Sequence, residues 1–353
     1  MRKIDNRGMN YLEPQNQREY RLSARRERQK NAAEAIFRLV RNVVIAGGVI
    51  GAGVYFFVLW FFADIPVKAA TPIETTIITE IISEITRPLG RNEVGFEMRS
   101  EYALLINITN GRILFDHQSD VRTFPASVTK IMTVLVGLEN SQMNENVTVI
   151  ADFDELWRAG AMQAGFHYGE VRSMSEILHG IMLPSGAEAT WALANHIAGS
   201  YEDFIAMMNE KARELGMNDT HFVTATGLHD DDHFTTAHDI AILLQYALAN
   251  PEFRTIFTTA EYQLSRPNAM GSTMRSTLFQ FAPTTEFEGG EILGGRTGFT
   301  TPAGRCMASL ATDGRSEFIL ITFGIPDPYF TNTSAHVDDA LVIYEYFLDS
   351  IRY

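Results

Sequence analysis

A run of twenty uncharged, mostly apolar residues covers positions 43–62. As a helix, such a run rises about 30 Å, which is enough to cross the hydrocarbon core of a bilayer. Basic residues precede the run, and Asp64 follows it. Because flanking cations stay on the cytoplasmic side, this pattern predicts a membrane-spanning helix over residues 43–63, with a basic cytoplasmic segment over 1–42 and the rest of the chain extracytoplasmic.

A cleaved signal peptide is the alternative interpretation of this run, with processing near residues 67–69. The 42-residue leader and the length of the apolar run favour a retained anchor instead. Gly47 and Gly51 form a G-x-x-x-G pair, which promotes helix pairing in membranes but is also common there by chance. We therefore expect a single-pass anchor and leave its pairing open.

Isoleucines recur at helical spacing after this run. Residues 71–74 (TPIE) have the form of a helix start, with a Thr cap, Pro at the first position and Glu three residues after the cap. Six isoleucines between 73 and 85 then fall on one face of a helix, although such heavy β-branching also permits an extended segment. We predict a stalk over residues 64–90 and a globular domain over 91–353.

The patterns within 91–353 predict strands at both ends and helices between them. The predicted strands form two hairpins, 102–108 with 112–115 and 305–312 with 317–323. Asn110-Gly111 and Asp313-Gly314 are the turn signals, the first of them for a two-residue turn. Helical periodicity runs from residue 127 to about 250, and a final helix is predicted over 335–351. This order favours an α+β fold with one mainly antiparallel sheet flanked by helices.

Two local signals fall inside the helical region. Ser173 and Glu176 have the spacing of a capping box. Pro184 is expected to end the helix that follows, which would leave Ser185 on a loop.

The single cysteine, Cys306, excludes an intrachain disulfide and lies in an apolar run, so we predict a buried strand residue there.

The charge of the chain is divided between two regions. Residues 1–42 hold eleven Lys and Arg against five Asp and Glu, a net of +6, while the whole chain is −14, so the remainder carries −20. This division fits a chain that occupies two compartments, and the acidic part gives no reason to expect nucleic-acid binding. The basic segment is either a solvated tail or a helix attracted to anionic lipid.

Residues 127–130 have the sequence S-V-T-K, in which Ser127 and Lys130 give the first indication of catalytic chemistry. In a helix, positions three apart share a face, so the amine would lie beside the hydroxyl. A serine hydroxyl becomes a useful nucleophile when a neighbouring base takes its proton, and a lysine with a lowered pKa can serve as that base. The spacing occurs by chance in many chains, so its meaning depends on what else is present.

Two further motifs follow in order, PSGA at 184–187 and GRTGFT at 295–300. Together the three motifs resemble the S-x-x-K, S-x-N and K-T-G motifs of the D-alanyl-D-alanine carboxypeptidases, which are low-molecular-mass penicillin-binding proteins. The resemblance covers roughly residues 99–353. The stretches that carry it are FPASVTKIMT, LPSGAEA, LGMNDTHFVTATGL, TTAHD and GRTGFTTPAG.

This resemblance implies a fold and a mechanism. The fold is a penicillin-binding protein/β-lactamase-like antiparallel sheet flanked by helices, with an all-helical subdomain. Ser127 would be the nucleophile, Lys130 its general base, and Ser185 a second hydroxyl that relays a proton to the leaving amine. The substrate would be the peptidoglycan stem peptide, which loses its terminal D-alanine through a Ser127 acyl-enzyme, and β-lactams would acylate the same serine.

The third motif would bind the substrate. The resemblance implies that Arg296 and Thr297 receive the terminal carboxylate and that Gly298 lets the strand approach the ligand closely. The backbone N–H groups of Ser127 and Phe299 would form the oxyanion hole. No cofactor and no metal are implied.

Two positions depart from the family pattern. Ala187 stands where the family usually has asparagine, whose amide helps to hold the substrate's peptide group and the lysine amine. Arg296 stands where the family usually has lysine, although a guanidinium is also cationic and binds carboxylates. An impaired homologue that binds muropeptide or β-lactam without useful turnover is therefore the alternative. A β-lactamase is a third possibility, against which no E-x-x-L-N-like deacylating glutamate is evident.

A histidine and aspartate cluster at residues 229–233 (HDDDH) resembles a metal site. Two histidines four apart bind zinc when both lie on one face of a helix. The cluster follows Thr226-Gly227-Leu228, where a loop is expected, so we predict no metal there. Glu170 and Asp239 are interpreted as structural hydrogen-bond acceptors.

Overall fold

The computed structural model describes residues 95–327 and 333–348. The predicted cytoplasmic segment, membrane helix and stalk lie outside the described residues. Within the described part of the chain, no helix combines the length and the apolar character that a membrane crossing requires.

A six-stranded sheet forms the centre of the described domain. The strands of the domain are β1 (Tyr102–Asn107), β2 (Arg112–His117), β3 (Asn146–Thr148), β4 (Val171–Ser173), β5 (Glu261–Asn268), β6 (Gly271–Arg275), β7 (Glu286–Phe287), β8 (Gly290–Thr300), β9 (Gly304–Thr312) and β10 (Glu317–Ile325). The large sheet has the order β2-β1-β10-β9-β8-β7, and every neighbouring pair in it is antiparallel. β3 pairs with β4 and β5 with β6 in two small ribbons.

Helices flank this sheet. The α-helices of the described residues are α1 (Lys130–Glu139), α2 (Phe153–Arg158), α3 (Met174–Met182), α4 (Ala187–Ala198), α5 (Tyr201–Glu214), α6 (Ala237–Leu248), α7 (Pro251–Thr258), α8 (Thr277–Phe281) and α9 (Ala335–Leu348). The predicted α+β class is confirmed. The predicted helical stretch from 127 to about 250 is interrupted by the β3–β4 ribbon, and the final helix is confirmed as far as residue 348.

Both predicted hairpins are present, but the first turn is longer than predicted. β1 and β2 are joined by four residues, 108–111, rather than by a two-residue turn. The side chain of Asn107 accepts hydrogen bonds from the N–H groups of Thr109 and Asn110, and Gly111 adopts a φ of +75°. An asparagine that bonds the backbone two and three residues ahead stabilises such a loop, so the turn begins earlier than the Asn-Gly pair indicates.

The hydrophobic core lies on both faces of the sheet. Along β1, Leu104 and Ile106 pack against the helical side, whereas Ala103 and Leu105 pack against the side that holds α9. Side chains alternate between the faces of a strand, so a strand covered on both sides is apolar throughout. Cys306 on β9 is fully buried, which confirms the prediction, and burial raises the pKa of its thiol to about 12.

The helical side is organised around α1. Every residue of this helix from Lys130 to Gly137 is buried, which places it at the centre of the core. The capping box at the start of α3 is confirmed, with the Ser173 hydroxyl and the Glu176 carboxylate each accepting a backbone hydrogen bond from the other residue. α3 then ends at Met182, two residues before Pro184. These elements bring the first two sequence motifs beside the third motif, which lies on β8.

Candidate active site

Ser127 lies in a 3₁₀ turn, Ala126–Thr129, directly before α1. The sequence predicted that Ser127 would lie in a helix with Lys130 one turn later; the α-helix itself begins only at Lys130. The geometry of the pair is nevertheless preserved, because Lys130 Nζ donates to Ser127 Oγ at 3.3 Å. Ala126 adopts a φ of +46°, a region that non-glycine residues seldom occupy. Ser127 is thus presented by a strained turn.

Gly227 allows this turn to form. A Cβ at Gly227 would overlap the backbone carbonyl of Ala126, and Gly227 itself has a φ of +78°. Only glycine meets both conditions at little cost. The same loop places the carbonyl of Thr226 on the amine of Lys130, which donates a hydrogen bond to it.

Lys130 is buried in the site, with 2% of its surface exposed. Burial holds the pKa of its amine well below the usual value, and the nearby positive charge of Arg296 lowers it further. A lysine whose charged form is disfavoured in this way can remain neutral and accept a proton. Its hydrogen bond to Ser127 Oγ shows where that proton would come from.

Ser185 lies on the loop between α3 and α4, as predicted. It has a φ of +71°, and its Oγ lies 3.1 Å from Ser127 Oγ. Ser185 does not cap the next helix, because Gly186 occupies the N-cap position and no side chain caps α4. The strained backbone turns the Ser185 hydroxyl toward Ser127 instead.

Arg296 connects the third motif to the other two. Its Nε donates to the carbonyl of Ser127 at 3.0 Å, and its Nη2 donates to Ser185 Oγ. Its Nη1 donates to the carbonyl of Met182 at 3.1 Å. Only 1% of Arg296 is exposed, and burial lowers its pKa to about 9, so it remains cationic at neutral pH. All three guanidinium nitrogens therefore bond protein oxygens, and the role predicted for Arg296 in receiving a carboxylate stays a prediction.

Thr297, Gly298 and Phe299 continue β8 past the nucleophile. A Cβ at Gly298 would lie 2.8 Å from the backbone nitrogen of Ser127. Glycine at this position therefore permits the strand to approach the serine turn closely. The prediction was that Gly298 allows close approach to the ligand, whereas the contact in the structure is with the protein itself. Thr297 Oγ1 lies 2.7 Å from Thr277 Oγ1, and the ring of Phe299 lies 5.0 Å from the guanidinium carbon of Arg305.

Ala187 is buried and does not face a polar partner. Its side chain packs in a small apolar cluster with Ala151 and Leu156. Its backbone N–H donates to the carbonyl of Met162 at 2.8 Å. The position therefore anchors the chain segment around residue 162 rather than supplying an amide to the site.

Three residues of the site were missed by the sequence analysis. Thr226 acts through its carbonyl, which every residue has, so no side-chain pattern marks it. Thr277 lies outside the three motifs and reaches Thr297 and Arg296 only through the fold. Glu188 follows Ala187 directly and is fully buried; a glutamate in the first turn of a helix is common, because it is favoured by the helix dipole, so it gives no signal of a site.

The histidine and aspartate cluster lies in a loop, as expected. His233 is buried, with Nε2 at 2.8 Å from Thr129 Oγ1 and Nδ1 accepting the N–H of Val223. Burial lowers its pKa to about 3, so the ring is neutral at working pH. Asp239 accepts hydrogen bonds from Asp219 and Thr220, which confirms a structural role for its carboxylate.

Glu170 also has a structural role. It accepts hydrogen bonds from the backbone of His167 and from the guanidinium of Arg172. The ion pair with Arg172 joins β4 to the loop before it. The predicted structural role of this carboxylate is confirmed.

Comparisons with known proteins show that the chain is similar to D-alanyl-D-alanine carboxypeptidases. A sequence profile described as D-alanyl-D-alanine carboxypeptidase matches residues 89–327. The D-alanyl-D-alanine carboxypeptidase DacF of Bacillus subtilis is 33% identical over 247 residues, which are 67% of this chain and 60% of DacF. DacB2 of Mycobacterium tuberculosis is 30% identical over 228 residues, 63% of this chain and 74% of DacB2. The matched region thus spans about three-fifths of the length of DacF.

Solved structures agree with this likeness. The crystal structure of the Streptomyces K15 DD-transpeptidase superposes with a TM-score of 0.63 at 27% identity, over 72% of this chain and 98% of that one. The D-alanyl-D-alanine carboxypeptidase of Mycobacterium tuberculosis H37Rv superposes with a TM-score of 0.58 at 26% identity, over 69% of this chain and 91% of that one. The penicillin-binding protein/β-lactamase-like arrangement of sheet and helices is therefore confirmed.

Proposed function

The chain belongs to the D-alanyl-D-alanine carboxypeptidase family, and we propose that it removes the terminal D-alanine from peptidoglycan stem peptides by serine catalysis. One observation carries this proposal. The hydroxyl of Ser127 lies 3.3 Å from the amine of buried Lys130 and 3.1 Å from the hydroxyl of Ser185. A nucleophile in contact with both a desolvated base and a second proton carrier provides the groups that acyl transfer requires.

In the first half of the reaction, Ser127 Oγ attacks the carbonyl carbon of the D-Ala–D-Ala peptide bond. Its proton passes to the neutral amine of Lys130, and the carbonyl oxygen becomes an oxyanion. The N–H groups of Ser127 and Phe299 are the proposed donors to that oxyanion. When the C–N bond breaks, Ser185 passes a proton to the nitrogen of the leaving D-alanine, and Lys130 resupplies Ser185.

In the second half, the acyl group on Ser127 is transferred to an acceptor. Neutral Lys130 takes a proton from water, either directly or through Ser185, which passes its own proton to Lys130 as it accepts the proton of water. The hydroxide oxygen adds to the ester carbon, and Ser127 Oγ then leaves with the proton that the Lys130 ammonium returns. The K15 relative is named a DD-transpeptidase, so an amine could also serve as acceptor. Measuring the free-acid product against the new amide product with added glycine distinguishes hydrolysis from transpeptidation.

Recognition of the substrate carboxylate is proposed to depend on charge and hydroxyl groups at the start of the third motif. Arg296 supplies a fixed positive charge behind the site, and Thr297 supplies a hydroxyl that already shares a hydrogen bond with Thr277. Because the guanidinium nitrogens bond protein oxygens, Arg296 is expected to act by its charge more than by a direct bidentate contact.

A binding protein with little turnover is the second candidate. Two observations favour it: Ala187 faces an apolar cluster, and Arg296 is occupied by Ser127, Ser185 and Met182. Either feature would slow deacylation or weaken substrate positioning without preventing attack by Ser127. Such a protein would form an adduct with penicillin and yet release no D-alanine.

We further propose that residues 43–63 anchor the enzyme in the cell membrane, with the catalytic domain extracytoplasmic. The apolar run and the basic residues before it support this proposal. Protease added to intact spheroplasts should degrade the catalytic domain and leave a short membrane-bound fragment. Recovery of the whole chain in the culture medium would exclude the anchor.

The deciding experiment combines intact mass with product release. Full-length protein in detergent is incubated with penicillin, and in parallel with diacetyl-lysyl-D-Ala-D-Ala, next to a Ser127→Ala variant. An adduct and D-alanine release that both disappear in the variant would support the enzyme. An adduct without D-alanine release would favour the binding protein, and the absence of both would exclude catalysis by Ser127.

A further inference from the structure

Glu188 is a buried carboxylate beside the second motif that the mechanism above does not use. It has no exposed surface, and its Oε1 accepts hydrogen bonds from three successive backbone N–H groups, those of Ala164, Gly165 and Phe166, at 2.8, 2.8 and 3.1 Å. Successive N–H groups that converge on one oxygen form an anion-binding nest. Its Oε2 accepts no hydrogen bond from any described residue.

The nest holds a short segment, residues 162–166 (the wall), against the second motif. Residues 162–166 are attached to the second motif at two points. The N–H of Ala187 donates a hydrogen bond to the carbonyl of Met162, and the carboxylate of Glu188 accepts hydrogen bonds from the backbone that begins at Ala164. A Cβ at Gly186 would lie 2.7 Å from the Cβ of Ala164, so the wall and the motif are in direct contact. The position of Ser185, one residue earlier, depends on this attachment.

Glu188 also completes the charge balance of the buried site. The titratable groups that interact electrostatically with Lys130 are Arg296 from β8, Glu188 from α4 and His233 from the loop before α6. His233 is neutral at working pH because its pKa is lowered to about 3. Arg296 is cationic, and a second cation arises on Lys130 whenever it takes the proton of Ser127. Glu188 is the one acid among these groups.

We propose that Glu188 is a positioning residue of the acylation machinery: its carboxylate fixes the wall at 164–166 and supplies the negative charge that offsets Arg296 when Lys130 becomes an ammonium. The proposal rests on the function proposed above. It assigns to the residue after Ala187 a part of the support that the family's asparagine amide would give to the lysine.

The charge has a definite consequence for Lys130. Arg296 lowers the pKa of the Lys130 amine, and Glu188 raises it. Removing the carboxylate charge should therefore make Lys130 a weaker base, which titrates at lower pH. Burial raises the pKa of Glu188 itself, while the backbone N–H groups oppose that rise. The test must therefore observe Lys130 directly.

Lysine labelled with carbon-13 at Cε provides that observation in the full-length chain in detergent. The chain holds five lysines, Lys3, Lys30, Lys68, Lys130 and Lys211, so the spectrum is simple, and the Lys130 signal is the one absent from Lys130→Met. In Glu188→Gln, which keeps an oxygen for the nest, we expect the pKa of Lys130 to fall by about one unit. The acidic limb of the penicillin acylation rate should move down by the same amount.

Two further variants separate charge from structure. Glu176→Gln is the matched control, since Glu176 is also a buried glutamate that accepts backbone hydrogen bonds but belongs to the α3 capping box; it should lower stability and leave Lys130 unchanged. Glu188→Asp keeps the charge on a shorter side chain, so it should lower stability while the pKa of Lys130 stays near that of the unsubstituted protein.

The outcomes are distinguishable. An unchanged Lys130 titration in Glu188→Gln, or an equal shift in Glu176→Gln, would overturn the proposal. If Glu188→Gln does not fold, a fall of a full unit in Glu188→Asp would overturn it too. A shift of Lys130 in a protein that never acylates would support the electrostatic role of Glu188 and exclude the proposed enzyme function.

Discussion

Replacing Gly298 with alanine tests whether the approach of β8 to the serine turn is what assembles the site. The added Cβ would lie 2.8 Å from Ser127 N and 3.1 Å from Ala126 Cβ. An ordinary contact begins near 3.4 Å, so the strand and the turn must separate by roughly 0.6 Å. Both elements are backbone, which cannot move aside as the end of a long side chain can.

The expected loss follows from that displacement. A misplacement of about 1 Å at a reacting centre can cost on the order of 100-fold in rate, so a shift of roughly 0.6 Å should reduce acylation about 10- to 50-fold. Overpacking in a core costs about 1–3 kcal/mol of the free energy of unfolding. The rate of acylation by a fluorescent penicillin and urea unfolding measure the two effects separately.

Gly295→Ala is the matched control for this prediction. A Cβ at Gly295 would lie 2.9 Å from the carbonyl oxygen of Ala308 and 3.1 Å from Leu278. The crowding is similar and on the same strand, but the neighbours are not part of the serine turn. Gly295→Ala should therefore lose stability and keep most of its acylation rate. Equal acylation by Gly298→Ala and the unsubstituted protein would refute the reasoning, as would equal loss in both variants.

Three other substitutions have defined outcomes. Lys130→Met should reduce the rate of acylation at least about 1000-fold. Because burial lowers the pKa of the Lys130 amine in the folded state, the unsubstituted protein loses stability as the pH falls from the unfolded to the folded pKa of that amine. The variant should therefore gain stability relative to the unsubstituted protein toward low pH, as measured by urea unfolding. Ala187→Asn must place an amide among the apolar contacts of Ala151, so we expect a loss of about 1–3 kcal/mol and no gain in D-alanine release, and faster release would contradict this. Ser173→Ala removes half of the α3 capping box and should cost about 1 kcal/mol without changing the acylation rate, which a rate change would disprove.

The strands and the contact between Ser127 and Lys130 were predictable because their signals are local. The turn residues Asn110 and Asp313 and the alternating or continuous apolar runs identify the hairpins within a few residues. The short S-x-x-K motif places Lys130 beside Ser127, and Pro184 predicts that Ser185 lies on a loop, whereas the roles of these residues came from the family resemblance. These features depend on neighbours in sequence, which a single chain displays directly.

The environment of the motifs was not predictable in the same way. The carbonyl of Thr226, the hydroxyl of Thr277 and the nest around Glu188 are brought to the site by elements far apart in the chain. A backbone carbonyl has no side-chain signature, and a glutamate at the start of a helix has an ordinary explanation. Gly298 was predicted to let the strand approach the ligand, whereas the close approach that the structure shows is to the Ser127 turn.

Contacts between distant elements also explain how the site can be assembled although Ala187 stands where the family usually has asparagine. A lysine at position 296 would offer one nitrogen, whereas the guanidinium of Arg296 bonds Ser127, Ser185 and Met182 through three nitrogens in a fixed plane. The strand is thereby joined to both serine motifs by a contact that does not depend on residue 187. Ala187 can then serve packing alone. The positive charge of Arg296 lowers the pKa of Lys130, and Glu188, one residue after Ala187, opposes that effect.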